Sequence, residues 1–209
     1  MLSGLQIPPV SAMLSATKPA RERELLRMTN HSYVVGIAGG TCSGKSTLCT
    51  LLSQRLEDLQ PTVICMDRYF MQPAPNTVAP ITRKVYVEHN HPTSLRLDDL
   101  YADLDAAIEK GGLILVEGLF ALHLDPVREK LNLKVFVDLK SDERLYRRIK
   151  RWIDRQSMDE IAARYLDTVR FRHDELVEPS RWHADVVLNG TLDRGQGVDI
   201  LETYIRARA

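Results

Sequence analysis

The stretch Gly39-Gly40-Thr41-Cys42-Ser43-Gly44-Lys45-Ser46 decides how the rest of the chain is read. It fits the pattern G-x-x-x-x-G-K-[ST], a glycine-rich turn whose successive backbone N–H groups converge on a phosphate. Glycine admits backbone angles and a close approach that a side chain would block. The lysine of such a loop reaches the β- and γ-phosphates, and the hydroxyl that follows it can ligate Mg²⁺. Its flanks are what the pattern requires. Tyr33-Val34-Val35-Gly36-Ile37-Ala38 is a short apolar, β-branched run, the mark of a buried strand. Beyond the loop, Leu48, Leu51, Leu52, Leu56 and Leu59 fall on one face of a helix from about 45 to 59, which Pro61 stops. Lys45 and the loop amides are therefore expected to hold phosphates, and Ser46 a metal ion. Cys42 stands where the pattern leaves the residue open.

Outward from this unit, strands and helices alternate. Thr62–Met66, Leu113–Glu117, Lys134–Asp138 and Ala184–Leu188 read as further strands. Between them the pattern predicts helices over about 95–110, with Leu97, Leu100, Leu104 and Ile108 on one side and Gly111-Gly112 as its end. Another is predicted over 142–153, with Ser141 as N-cap. A third begins at Ser157, which has capping-box spacing to Glu160, and a last one covers 197–206. Such alternation implies an α/β chain: a P-loop NTPase fold with a five-stranded parallel sheet, helices on both faces, and ligands at the carboxyl ends of the strands. Residues 67–94, with Pro73, Pro75, Pro80 and Pro92, read as one long irregular stretch, more often functional than idle in a compact domain. Residues 1–32 read as an N-terminal extension carrying a short charged helix at 20–28, and 33–209 as the P-loop domain.

Composition narrows the functional class. The chain has 209 residues, 44% hydrophobic and 27% charged, with 28 Lys+Arg against 28 Asp+Glu. That length suits one domain with a sizeable core. A formal charge of zero argues against binding nucleic acid by bulk electrostatics. Three cysteines make no disulfide framework and no zinc spacing, and no run approaches the length of a membrane span. A reducing, cytoplasmic setting follows. The neutral total hides local asymmetry. From Arg144 to Arg172 nine Arg/Lys stand against four Asp/Glu, whereas Asp98 to Lys110 holds five acids and one base.

Three further sets of residues carry chemistry. Asp67 directly follows the second strand, where a carboxylate can take the proton of an acceptor hydroxyl. Glu117 ends the third strand at the same edge and suits Mg²⁺, directly or through water. Arg144, Arg148, Arg151 and Arg155 are spaced i, i+4, i+7 and i+11 on one helix face and its exit, with Arg147 between them. An all-positive stripe repels itself and makes sense facing an anion, as a lid over a transferring phosphate. His91-Pro92 lies in the long loop, and Trp152 reads as a packing residue. There is no NKxD guanine-reading motif and no LSGGQ-type signature, so a small-molecule kinase fits better than a GTPase or a transport ATPase.

With Val35 to Thr47, Asp67-Arg68-Tyr69-Phe70, His91-Pro92, Val116-Glu117-Gly118, Phe136-Val137-Asp138 and Ala184-Asp185-Val186 in this order, the chain resembles uridine–cytidine kinase over about 33–205. The wider group includes nicotinamide riboside kinases, phosphoribulokinases and a class of pantothenate kinases. The resemblance implies a phosphotransferase with an alcohol group as acceptor, using ATP and Mg²⁺. It implies Asp67 as catalytic base beside Lys45, Arg148 and Arg151, and Ser46 and Glu117 as the magnesium residues. ATP would be bound by Gly39, Gly40, Thr41, Cys42, Ser43, Gly44, Lys45, Ser46, Thr47 and Arg155, with Asn189 and Gly190 beside the adenine. The acceptor would meet Asp67, Tyr69, Asn90, His91, Arg151 and Arg164.

Departures gather on the acceptor side. The family's hairpin before the V-E-G strand is missing, because Glu109-Lys110-Gly111-Gly112 runs straight into Leu113. Asn90 replaces an Asp, Arg164 replaces a Gln, and the lid exit is shorter. The acceptor is therefore left open among nucleosides, nicotinamide riboside and sugar phosphates. A non-catalytic ATP-binding regulator is the contrasting reading. Expected partners are ATP and a small acceptor, with no nucleic acid or membrane and a homo-oligomer left open.

Overall fold

The computed structural model describes residues 31–191 and 194–209. The expected extension and its helix lie outside them except for His31 and Ser32, and Ser32 already begins the first strand. From there the chain forms one compact unit, Ser32–Ala209.

Strand β1 (Ser32–Gly39) occupies the centre of a five-stranded sheet. The others are β2 (Thr62–Cys65), β5 (Gly112–Glu117), β6 (Leu133–Asp138) and β7 (Val186–Asn189). Their order is β2-β5-β1-β6-β7, all pairs parallel, as the alternation requires. The central strands are apolar at successive positions because both faces are covered. Val34, Ala38, Ile114, Val116 and Phe136 point into one core. Val35, Ile37, Leu113, Leu115, Val135 and Val137 point into the other.

The second core is closed by α1 (Lys45–Arg55) and the final helix α6 (Arg194–Arg206) through Leu48, Leu52, Val198, Leu201 and Ile205. The first core is closed by α2 (Leu97–Lys110), the short α3 (Asp125–Arg128), and Val177 from the segment after β6. Asp98 and Asp99 sit in the first turn of α2, where negative charge suits the helix dipole. Gly111, at φ 81°, ends that helix.

After β6 come α4 (Ser141–Trp152) and α5 (Met158–Arg164), and the chain stays helical to residue 180 through wide π-helical turns at Tyr165–Val169 and His173–Val177. The capping box at α5 forms as expected: Ser157 Oγ accepts from the Glu160 amide, and Glu160 accepts from the Ser157 amide. Ser141 is not the N-cap of α4. Lys140 holds that position without a side-chain bond, and the Ser141 carbonyl instead accepts from the Tyr165 hydroxyl at 3.1 Å.

The stretch 67–94 is more ordered than its prolines suggest. A 3₁₀ turn at Met66–Tyr69 leads to an antiparallel hairpin, β3 (Asn76–Val78) and β4 (Val85–Val87). No strand lies between α2 and β5, so the hairpin absent from that position is indeed absent. The hairpin found here docks on the 158–180 helix through polar contacts. Tyr86 and Thr82 both donate to Asp167, at 2.7 and 2.8 Å. Arg172 donates to the buried Glu88 carboxylate at 3.1 Å, and Arg164 to the Val87 carbonyl at 2.7 Å.

Candidate active site

The loop after β1 sits at the carboxyl edge of the sheet and opens directly into α1. Gly39 and Gly44 have φ of 146° and 105°, so the turn is built from angles that glycine alone adopts freely. A Cβ on Gly39 would stand 2.5 Å from the Val137 carbonyl. Cys42, at the open position of the pattern, has φ 59°. A non-glycine residue in that region costs about 1 kcal/mol. The position is thus constrained by backbone angle, although its side chain needs no role.

Two clefts meet at this loop. The smaller, about 230 Å³, is lined by Cys42, Gly44, Lys45, Ser46, Thr47, Arg147 and Arg151. The larger, about 470 Å³, runs from Thr41, Lys45 and Ser46 past Arg148, Arg151 and Trp152 to Asp67, Phe70, His89, Asn90 and Arg164. Asp67 thus shares one space with Lys45 and three arginines, as its place after β2 predicts.

The positive groups there have no acidic partner. Among the described residues, neither Lys45 nor Arg148 nor Arg151 forms an ion pair, whereas Arg55, Arg96, Arg128, Arg172 and Arg206 each do. Lys45 is buried. Arg148 donates to Thr41 Oγ1 at 3.2 Å, and burial pulls its pKa below the ordinary guanidinium value. Buried cations without a carboxylate are costly unless an anion completes them.

The two residues expected at magnesium lie together. Ser46 Oγ donates to Glu117 Oε2 at 3.0 Å, and Cys65 Sγ donates to Oε1 of the same carboxylate at 2.9 Å. Glu117 is 4% exposed. A hydroxyl and a buried carboxylate next to a phosphate loop are hard oxygen donors that fit Mg²⁺ with phosphate oxygens and water as its other ligands. The carboxylate and desolvation together push the Cys65 thiol up to about 12, so it stays a neutral donor.

The arginine stripe divides along its length. Arg144 is 4% exposed beneath the loop, where a side chain on Gly40 would run into it, and His173 packs there as well. Arg148 and Arg151 face the cleft. Arg155 lies 5.9 Å from the Trp152 ring and lines neither cleft. Arg147, which the stripe leaves out, donates to the Gly190 carbonyl at 2.9 Å and lines the smaller cleft. Gly190 is wedged, since a Cβ there would lie 2.7 Å from the Ser43 carbonyl and 2.9 Å from that of Asp138. Asn189 accepts from the Thr191 amide and lines neither cleft.

Two residues expected at the acceptor are turned elsewhere. Tyr69 is packed in the core and donates to Asp103 at 2.6 Å, and its neighbour Phe70 faces the cleft. The His91 Nδ1 accepts from the Thr93 amide, capping the turn Pro92–Ser94, and His89 faces the cleft instead. Asn90 and Arg164 line the larger cleft. Phe70 stands one residue from the expected Tyr69 and His89 two from His91, offsets that the irregular stretch gives no periodicity to fix.

Comparison with known proteins agrees with this geometry. The family described as "Phosphoribulokinase / Uridine kinase family" matches residues 81–195. A uridine kinase of Chloroflexus aggregans is 30% identical over 206 residues, spanning 86% of this chain and 97% of its own. Uridine-cytidine kinase B of Dictyostelium discoideum is 28% identical over 208 residues, spanning 86% and 84%. Among solved structures, the shikimate kinase of Acinetobacter baumannii superposes with a TM-score of 0.53 at 17% identity, covering 87% of this chain and 97% of that one. That likeness concerns the fold.

Proposed function

The chain belongs to the phosphoribulokinase/uridine kinase family and is a phosphotransferase with a hydroxyl acceptor, and from that premise we propose that it transfers the γ-phosphate of ATP to a hydroxyl of a nucleoside. The observation that carries this reading is the single cleft in which Asp67 faces Lys45, Arg148 and Arg151, three cations without an acid of their own.

The chemistry follows from those groups. The amides of Gly39 to Thr47 and the Lys45 ammonium hold the donor's phosphates. Asp67 accepts the proton of the acceptor hydroxyl as its oxygen bonds to the γ-phosphorus, and the bond from that phosphorus to the bridging oxygen breaks, releasing ADP. Arg148 and Arg151 offset the charge that spreads over the equatorial oxygens. Ser46 and Glu117 would hold Mg²⁺, which supplies further charge neutralisation when bound. A pure nucleotide switch has no use for a carboxylate at Asp67, which favours catalysis over regulation.

A second acceptor, nicotinamide riboside, is favoured by one feature. Helix α2 passes through Gly111 into β5 without the intervening hairpin that the uridine kinase resemblance leads one to expect.

The test is ADP release against a panel of uridine, cytidine, nicotinamide riboside, pantothenate and sugar phosphates. Wild-type protein should turn over at least one nucleoside. Asp67→Asn should lose about 10²- to 10⁴-fold in kcat while ATP affinity is kept. Near wild-type turnover of a true acceptor by that variant would remove Asp67 from the mechanism.

A further inference from the structure

His89 lies two residues beyond the end of β4 and lines the large cleft beside Phe70, Asn90 and Arg164. Its Nδ1 is 3.2 Å from Nη2 of Arg164, the same nitrogen that donates to the Val87 carbonyl. A guanidinium has donors and no acceptor, so Nδ1 must offer its lone pair. A neutral imidazole with the lone pair on Nδ1 carries its proton on Nε2. The charge state is set as well. Burial, and then the positive charge of Arg164, hold the His89 pKa below its ordinary value. Glu88 beside it, a backbone hydrogen bond with Val87, and Asp67 across the cleft act in the opposite direction without reversing the shift. The ring plane is fixed by an edge-on contact with Phe70, centroids 5.1 Å apart at 83°. The Arg164 contact therefore favours the Nε2–H tautomer over the one in which a ring N–H turns to the Val87 carbonyl, the Phe70 contact orients the plane, and Nε2–H is left for the cleft.

We propose that His89 is a specificity-determining residue of the acceptor site. Its Nε2–H donates to a carbonyl oxygen or an unprotonated ring nitrogen on the group that the acceptor's sugar carries. Arg164 is the positioning residue that locks the tautomer. The inference rests on the reading of this cleft as a nucleoside kinase site. It selects acceptors with such an atom and disfavours a bare sugar, because a donor that the bound acceptor covers and leaves unpaired is penalised.

The experiment compares uridine, nicotinamide riboside and 1,4-anhydroribitol, a ribose ring without a base, in wild type, His89→Leu, His89→Gln and Arg164→Met. His89→Leu should raise the KM for the base-bearing acceptors about tenfold and leave the KM for ATP unchanged. The preference over anhydroribitol should shrink by the same factor. His89→Gln, which keeps an N–H donor, should recover most of it. In parallel, ¹⁵N NMR of the free protein should show His89 protonated on Nε2, and Arg164→Met should mix the tautomers. An unchanged acceptor preference in His89→Leu, or a proton on Nδ1 in wild type, would overturn the proposal. Turnover of none of the three acceptors or the wider panel would instead count against the kinase reading, and the tautomer would still decide the Arg164 lock.

Discussion

The two halves of the cleft are built in opposite ways. The donor half is made by one short piece of chain. Gly39 to Thr47 shape it with backbone angles and amides, and α4 adds arginines from a single further element. The acceptor half is made by side chains from separate places. Asp67 and Phe70 follow β2, His89 and Asn90 follow the hairpin, and Arg164 comes from α5. Backbone shape in the first half is supported by the sheet. Side-chain placement in the second depends on the polar clasp between the hairpin and the 158–180 helix. A site of this kind can keep its phosphate chemistry while its acceptor preference drifts, because the parts have little in common.

The comparison can be broken at either end. The largest effect is expected from Lys45→Met, which should lower kcat/KM for ATP by about 10³-fold. Acceptor binding, read by titration calorimetry, should survive it. Equal loss of both would mean the halves are not separable. A smaller and converse effect is expected from Asp167→Ala. It removes the acceptor of both Tyr86 and Thr82, so the acceptor KM should rise about fivefold with ATP affinity preserved. Amide exchange across 76–87 should quicken while β1 and α1 stay protected. No change in the hairpin's exchange would show that the clasp is not what holds it.

The buried support of the donor half should respond to acid. Burial, with Arg144 next in effect, lowers the His173 pKa to about 4. The unfolded chain therefore binds this proton from about pH 6.5 downward while the folded chain refuses it. Stability should fall as pH drops from about 6.5 to 4, by up to about 3 kcal/mol from this residue. Denaturant titrations of His173→Gln should show a flatter profile over that window, and a slope equal to wild type would exclude the residue as its cause. The smallest effect belongs to Cys42→Gly. It relieves the left-handed backbone at φ 59°, and should raise the melting temperature by a few degrees or leave it level. A clear loss would show that the Cys42 side chain contributes something its backbone angle does not.

What could be read from the sequence follows the same division. The phosphate loop, its strand and its helix are contiguous, so period and glycine placement were enough to place them. Glu117 and Ser46 were legible because each ends or begins an element at the known edge of the sheet. The hairpin was not, since Val85-Tyr86-Val87 is a short alternation between charged and proline-bearing residues, and its partner helix lies some eighty residues on. Tyr69 against Phe70 is a choice of parity, and His89 against His91 a choice between two residues of equal parity; only the path of the chain decides either. The arginine stripe was right as a face and incomplete as a surface. A spacing of eleven residues keeps direction around the axis but moves about 16 Å along it. Arg144 therefore lies under the loop while Arg155 stands clear of it.

Gly190 gives this arrangement a mechanical meaning. It is wedged against the Ser43 and Asp138 carbonyls and receives Arg147, while Tyr165 ties down the Ser141 carbonyl. The first two turns of α4 are thereby a fixed post rather than part of any moving flap. A closure over bound phosphates, if α4 is the proposed lid, would have to pivot beyond Arg147, with Arg148 near its fulcrum and Arg151 farther out on its arm. Closure would then change the reach of Arg151 more than that of Arg148.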